Sequence, residues 1–166
     1  SKNFENYDQI VERLGGESNA FTNNDITNYY LSVPNIYLQY ALDLEADRMQ
    51  NLNLNQKSLD VQKSVVTEEF KQRYINQPYG DLWKEIRQLS FTLHPYQHQT
   101  IGKCIEHIEN VSLEKAKQFY ENYYTPSNAI LAISGNVELS EVKTMVENSF
   151  GKIPYKKTIK KTYPCE

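Results

Sequence analysis

Two adjacent glutamates, Glu68 and Glu69, lie near the end of an amphipathic segment and could serve acid–base or metal chemistry. Helical spacing places Gln62, Val66 and Glu69 on nearly one face, so one carboxylate projects from a face that is otherwise partly apolar. Neighbouring helical residues point about 100° apart, so the two glutamates cannot perform the same task. On residue types alone, the alternative is a solvated helix face whose carboxylates pair with lysine or arginine.

A second candidate is a zinc site, because four side chains of acceptable ligand type lie close in sequence: His94, His98, Cys104 and His107. Their spacing argues against it, since Pro95 prevents His94 and His98 from sharing a continuous helical turn and no second close ligand pair follows. The alternative, which the spacing favours, is that His94 packs on Tyr96 in a loop and Cys104 is a small buried residue.

The segment Gly15–Thr22 is the third candidate, with two glycines followed by small and polar residues. It matches neither phosphate-binding pattern, because the Lys-Ser/Thr of a P-loop and the Rossmann glycine spacing are both missing. The pattern is typical of a helix that ends at the glycines and continues as a strand. Small side chains at Ser18, Asn19 and Ala20 would leave the edge of that strand accessible to another extended chain.

The elements that must position these residues follow from hydrophobic spacing and turn signals. The sequence predicts helices over residues 4–14, 35–51, about 56–74, 81–89, 112–125 and 140–150, and a short helical turn after 103. It predicts two strands within Ser18–Val33 around the polar turn Thr22–Asp25, and a buried strand over Asn128–Ser134. Helices that alternate only loosely with a few strands predict an α+β fold, with a mixed or antiparallel sheet covered by helices.

Composition limits the classes of partner. The 166 residues carry 18 basic and 21 acidic side chains, and the basic ones are scattered, which argues against binding to nucleic acid or an anionic membrane surface. The longest apolar runs, such as Ala129–Ile133, are far too short to span a bilayer. Two distant cysteines, Cys104 and Cys165, do not predict a disulfide scaffold.

Several short blocks, taken in order, resemble the insulinase/pitrilysin family of zinc peptidases, which includes the mitochondrial processing peptidases. The blocks are Leu14–Thr22, Thr27–Tyr30, Ala46–Met49, Val65–Glu69, Gln77–Gly80, His94–Tyr96, Ile101–Gly102 and Tyr124–Ala129. They extend over nearly the entire chain, and their shared order makes the resemblance specific. It implies a metallopeptidase half-domain of the processing-peptidase type, truncated at its N-terminus. Residues 1–166 would then be one incomplete domain, the remainder of the N-terminal catalytic domain after its metal-binding helix.

In this family a helix with the motif H-x-x-E-H supplies two zinc ligands and the general base, and a glutamate on a later helix supplies the third protein ligand. The resemblance assigns this third-ligand role to Glu69. Relatives commonly have a second carboxylate one heptad earlier; this chain has Gln62 there, which can hydrogen-bond a ligand but contributes no charge. The resemblance further implies a strand edge that binds extended peptide substrate main chain to main chain, formed by Ser18, Asn19, Ala20, Phe21 and Thr22.

The sequence contains no H-x-x-E-H motif, and its three histidines all follow Glu69. We therefore expect no catalytic residue within this chain, zinc in the full-length parent, and no tightly bound zinc in the fragment alone. The resemblance implies a peptide substrate and a related C-terminal domain or partner subunit as partners. Apolar surface and strand edge left uncovered by truncation predict that the fragment self-associates.

Three hypotheses follow for function. The first is a fragment of a zinc metalloendopeptidase that hydrolyses extended peptides and is inactive alone. The second is a non-catalytic family member that acts as a structural or peptide-binding partner subunit. The third, a free-standing helical binding module, would require the ordered blocks to be coincidence. Glu69 favours the first, because a partner subunit has no need of a metal ligand.

Overall fold

The computed structural model describes residues 7–157, 159 and 161–166. Its regular elements are α1 (Tyr7–Arg13), β1 (Glu17–Thr22), β2 (Thr27–Ser32), α2 (Leu38–Asn51), α3 (Gln56–Phe70), α4 (Leu82–Ser90), α5 (Ile105–Glu109), α6 (Leu113–Tyr123) and α7 (Leu139–Phe150). Short 3-10 segments occur at Asn35–Tyr37, Pro95–Gln97 and Pro126–Asn128, and a π-helical turn at Lys71–Ile75. The two strands form a small antiparallel sheet, so this helix-dominated fold confirms the predicted α+β class.

The chain divides into two compact units. The first takes its described residues from 1–21, 27–53 and 118–159, and the second from 22–26, 54–117 and 160–166. Each has its own small set of buried side chains, centred on α2 in the first unit and on α3 and α5 in the second. In the described part of the chain, no helix combines the length and hydropathy required to cross a bilayer.

Helix α2 is the centre of the first unit. It buries four small or aliphatic side chains, Ala41, Leu42, Leu44 and Ala46, and packs against α7. Ser149 of α7 accepts a hydrogen bond from Gln39 Nε2 at 2.9 Å and donates to Asp43 Oδ1 at 2.5 Å. These bonds join the polar side of α2 to α7 and fix the two helices in register.

Two glycines connect α1 to β1 in the first unit. Gly15 has a φ of +71°, the left-handed conformation that ends many helices, and the Gly16 amide donates to the Val11 carbonyl at 3.0 Å. A Cβ on Gly16 would overlap the Ser32 carbonyl oxygen and lie 2.6 Å from Cγ1 of Val33. The predicted helix stop is therefore confirmed, and the missing side chain lets the start of β1 approach the end of β2.

Helix α3 of the second unit begins at a reciprocal cap. The Ser58 amide donates to Asn55 Oδ1 at 3.0 Å, and the Asn55 amide donates to Ser58 Oγ at 3.2 Å. The helix packs against α5, and Lys63 Nζ donates to the Glu109 carbonyl at 2.8 Å. Beyond Phe70 the chain continues as the π-helical turn, so the predicted helix to about residue 74 changes its hydrogen-bond pattern before it ends.

The predicted strand over Asn128–Ser134 is wrong. Asn128 ends a 3-10 segment, and residues 129–134 carry no strand assignment. Ile130 is 97% exposed and Leu131 48%, so the apolar run is not buried among the described residues. A strand requires a hydrogen-bonding neighbour, and the described residues supply none beside this segment.

Asp81 begins α4, as predicted, and it occupies the N-cap position without a side-chain capping hydrogen bond. The first residues of the predicted helix 4–14, Phe4 to Asn6, lie outside the described residues, as do Thr158 and Lys160. The described residues between 154 and 166 have no regular secondary structure.

Candidate functional site

Glu69 lies in the last turn of α3 and forms an ion pair along the helix. Its Oε1 is 2.6 Å from Nη2 of Arg73, and its side chain is 41% exposed. Glu68 points elsewhere and pairs with Lys71, whose Nζ is 2.6 Å from Glu68 Oε1. Both pairs are those expected of a solvated helix face. Exposed pairs of this kind stabilise a fold by about 0–1 kcal/mol, so Arg73 could release the Glu69 carboxylate at little cost.

The face of α3 that carries Glu69 is exposed and partly apolar. Gln62 precedes Glu69 by two helical turns and is also exposed, which puts their Cα atoms about 10 Å apart on one side of the helix. Val61 and Val65 flank this line and are 54% and 55% exposed. Thr67, on nearly the opposite side, is buried. One side of the helix therefore packs in the unit, and the other side exposes the Glu69 carboxylate beside two valines. An exposed face of this kind is typical of an interaction surface.

Strand β1 belongs to the small sheet and has one edge without a partner strand among the described residues. Ser18 is half-buried and donates from Oγ to Asp8 Oδ1 at 3.1 Å. The remaining residues that we predict to bind substrate are exposed: Asn19, Ala20, Phe21 and Thr22. Phe21 is 49% exposed, so its aromatic ring is accessible to solvent on this strand.

One main-chain donor of β1 is already engaged. The Ala20 amide donates to Asn19 Oδ1 at 2.8 Å. An extended peptide could use this amide only if the Asn19 side chain rotated away. The Asn19 side chain therefore controls access to the Ala20 amide. The sequence alone did not predict this hydrogen bond.

The first unit also brings together a cluster that sequence reasoning missed. The Arg48 guanidinium lies over the rings of Tyr29, at 3.9 Å, and Tyr7, at 5.7 Å. Glu45 pairs with Arg48 and accepts a hydrogen bond from the Tyr7 hydroxyl. Burial, reinforced by this carboxylate, raises the pKa of Tyr7 above its usual range. The sequence indicated this cluster only in that the segments of Tyr29 and Arg48, Thr27–Tyr30 and Ala46–Met49, are both among the family blocks.

Strand β2 is tied to the chain after α6 by two tyrosines of the same cluster. The hydroxyls of Tyr29 and Tyr124 share a hydrogen bond of 2.6 Å. Burial and this bond raise the pKa of Tyr124. The Tyr120 hydroxyl donates to the Arg48 carbonyl at 2.8 Å, which joins α6 to α2. These bonds hold the hairpin from its β2 side, and among the described residues no strand pairs with the other edge of β1.

The four possible zinc ligands of the second unit are not assembled into a site. No group of three or more His, Cys, Asp or Glu side chains within the described residues could hold a metal ion. The His94 ring meets the Tyr96 ring edge-on at 4.3 Å, which confirms the packing interpretation of His94. Burial and the neighbouring Lys103 lower the pKa of His98. Cys104 is half-buried rather than buried, and a hydrogen bond from its thiol lowers the pKa of Glu106.

Comparison with known proteins identifies the family to which the chain is similar. The sequence model of the insulinases (peptidase family M16) matches residues 1–102, and that of the peptidase M16 inactive domain matches residues 110–166. The chain is 35% identical over 144 residues to zinc protease PqqE of Helicobacter pylori, covering 87% of this chain and 32% of that protein. It is 29% identical over 143 residues to the uncharacterized zinc protease YmxG of Bacillus subtilis, covering 86% and 34%.

A solved structure agrees with this assignment. The crystal structure of a protease from Helicobacter pylori superimposes with a TM-score of 0.85 at 34% identity, covering 95% of this chain and 38% of that one. The chain thus spans about a third of the length of the relatives it matches. Since one family model covers well over half of its residues, the chain belongs to the insulinase family, peptidase family M16.

Proposed function

We propose that this chain is part of a zinc metalloendopeptidase that hydrolyses extended peptides, and that Glu69 is one of its protein ligands to zinc. The observation that carries the proposal is the Glu69 carboxylate, which projects from the end of an anchored helix into an exposed, partly apolar face. A zinc ligand must be held rigidly and yet leave room for the metal and its other ligands.

The described residues do not by themselves make a zinc site. They offer one carboxylate at this face, and zinc sites need three or four protein ligands. The two histidines and the general base would come from outside this sequence, which contains no H-x-x-E-H. What this chain contributes is a carboxylate that can exchange Arg73 for a metal, while Gln62 on the same face could hydrogen-bond a ligand.

We propose that the edge of β1 binds the peptide substrate. An extended peptide laid along Ser18–Thr22 would gain main-chain hydrogen bonds that depend little on its side chains. The exposed Phe21 ring offers apolar contact area on the same strand. A related C-terminal domain or partner subunit, which we also propose, would cover the exposed face of α3.

Paired glutamate variants of the full-length protein test the role of Glu69. Glu69→Gln keeps the side-chain shape but replaces a carboxylate by a weaker ligand, so zinc affinity and peptidase rate should each fall at least tenfold. Glu68→Gln is the matched control, since that side chain leaves the helix about 100° away and should change neither. Zinc is measured by metal analysis after dialysis against a chelator. Equal zinc content and rate in both variants would remove Glu69 from the metal site.

The second candidate function is a non-catalytic partner subunit that keeps the fold without zinc. Two observations favour it: Glu69 is already satisfied by Arg73, and residues 110–166 match the model of the inactive domain. The full-length protein distinguishes the two functions directly. A partner subunit would retain no zinc and would hydrolyse no peptide before any substitution is made.

A further inference from the structure

The loop Thr92–His94 in the second unit surrounds a carboxylate from far along the chain. The Thr92 amide and hydroxyl both donate to Glu166 Oε2, at 2.9 and 2.8 Å. The amides of Leu93 and His94 donate to Glu166 Oε1, at 3.0 and 2.6 Å. Four donors from three consecutive residues therefore bind both oxygens of one side chain.

The three amides are available for this purpose because of how the loop ends. His94 precedes the 3-10 segment Pro95–Gln97, and its ring Nδ1 accepts from the Tyr96 amide at 3.2 Å. The His94 side chain thus accepts the hydrogen bond of the Tyr96 amide in the turn that follows. The amides of Thr92, Leu93 and His94 itself point to the Glu166 carboxylate. Successive N–H groups that converge in this way form a nest, a backbone arrangement that binds anions.

A second contact holds the same stretch of chain. The Tyr163 ring lies 5.2 Å from the His94 ring, at an angle of 38° between their planes. The His94 ring in turn packs against the rings of Phe91 and Tyr96, so Tyr163 contacts a cluster of three rings. The segment Tyr163–Glu166 is therefore anchored at two points three residues apart, one aromatic and one acidic.

The charge state of Glu166 agrees with this geometry. The backbone hydrogen bonds, that from His94 foremost, hold the pKa of Glu166 at about 2, well below its usual 4.5. The carboxylate is thus ionised at neutral pH, as a nest of N–H donors requires. It is also exposed to solvent, so a carboxylate can enter and leave without crossing packed side chains.

We propose that the Thr92–His94 loop and the His94 ring form a docking site for an acidic peptide segment with an aromatic residue three positions before the acid. In this structure the segment Tyr163–Glu166 fills the site in cis. The site goes beyond the proposed peptidase function and does not depend on Glu69 or on zinc. A segment of the same pattern from another chain can take its place when the cis segment is removed.

Amide hydrogen exchange on the 166-residue chain tests the cis contact. Glu166→Gln keeps the shape and removes the charge, so exchange at Thr92, Leu93 and His94 should speed up at least tenfold. Cys165→Ser is the matched control, because it alters the same segment but leaves the carboxylate, and exchange should stay unchanged. Thr92→Val, which removes only the hydroxyl donor, should give an intermediate rate. Unchanged exchange in Glu166→Gln, with far-UV circular dichroism equal to that of the parent, would overturn the proposal.

Peptides added to a variant of the chain that ends at Thr162, and so lacks the cis segment, test docking in trans. Acetyl-Tyr-Pro-Ser-Glu-amide at millimolar concentration should restore slow exchange at the three amides and shift their NMR resonances. The peptide ending in Gln should do neither. Sodium acetate at the same concentration separates the two anchors: if it restores protection as well as the peptide does, the aromatic anchor is overturned. No response to the Glu peptide would overturn the docking site itself.

Discussion

The guanidinium of Arg48 lies over the ring of Tyr29, with its Cζ 3.9 Å from the ring centroid. This contact joins helix α2 to strand β2 inside the first unit. Glu45 holds the guanidinium in place from its other side. Because β2 pairs with β1, this cation–π contact helps to position the strand edge that we propose for peptide binding.

Arg48→Lys should therefore destabilise the chain. An ammonium cannot stack its face on Tyr29 while pairing with Glu45, and we expect a loss of about 1–2 kcal/mol in the free energy of unfolding. Urea denaturation followed by circular dichroism measures it. Arg13→Lys, on the exposed end of α1, is the control for the same chemical change. Equal midpoints for the two variants would mean that the Tyr29 contact contributes nothing measurable.

Gly16→Ala should be more harmful than a change at the neighbouring Gly15. The new methyl would overlap the Ser32 carbonyl oxygen and Cγ1 of Val33, and moving β2 to relieve it should cost about 1–3 kcal/mol. Gly15 needs a left-handed backbone but has open space around it, so Gly15→Asn should cost less than about 1 kcal/mol. The same urea titration compares them. A larger loss for the Gly15 variant would contradict the close approach at Gly16.

The chain alone should bind no zinc tightly and hydrolyse no peptide. Its described residues offer one carboxylate at the face of α3 and no cluster of ligands elsewhere. Zinc titration by calorimetry on metal-free chain should show no stoichiometric submicromolar binding, with the same heat for Glu69→Gln. Stoichiometric binding would refute this prediction and return attention to His94, His98, Cys104 and His107.

The chain should self-associate, and the contact should centre on Ile130 rather than on Ala20. Pro126–Val137 carries no charged residue, and its Ile130 is 97% exposed. Ile130→Lys should shift the chain toward monomer in size-exclusion chromatography with light scattering. Ala20→Pro should have a smaller effect, because the Ala20 amide already donates to Asn19. A parent chain that stays monomeric across the micromolar range would defeat this prediction.

Docking of Glu166 should be lost in acid. Its pKa is lowered by docking, so docking is complete above the ordinary value of 4.5 and disappears as pH falls from there toward about 2. NMR of the side-chain carbonyl should give the low midpoint, and the Thr92–His94 amides should shift with it. Among the described residues, the titratable groups near this loop include His94 itself, Tyr96, Tyr163, Arg87 and Asp25, which accepts a hydrogen bond from Tyr96. Glu166→Gln retains all five, so a shift that persists in that variant would belong to them.

The amino-acid sequence by itself determined the features that depend on neighbours within about two helical turns. The Gly15–Gly16 helix stop, the polar turn closed by Asn23 Oδ1 on the amides of Asp25 and Ile26, and the cap of α6, where Ser112 Oγ accepts from Lys115, all follow from local hydrogen bonds. The common face of Gln62 and Glu69 likewise follows from helical periodicity alone. The family blocks supplied the hypothesis that Glu69 binds zinc, which periodicity alone does not give and which remains a prediction.

Only the tertiary structure decided which distant residues meet. Arg48 over Tyr29, and Glu166 in a nest 72 residues earlier, leave no periodic trace because each pairing depends on how separate elements pack. The same reason explains why the predicted strand over Asn128–Ser134 is wrong. Apolar residues at 129–133 carry strand propensity, but a strand exists only when a neighbouring chain accepts and donates its hydrogen bonds, and among the described residues no such neighbour lies beside them.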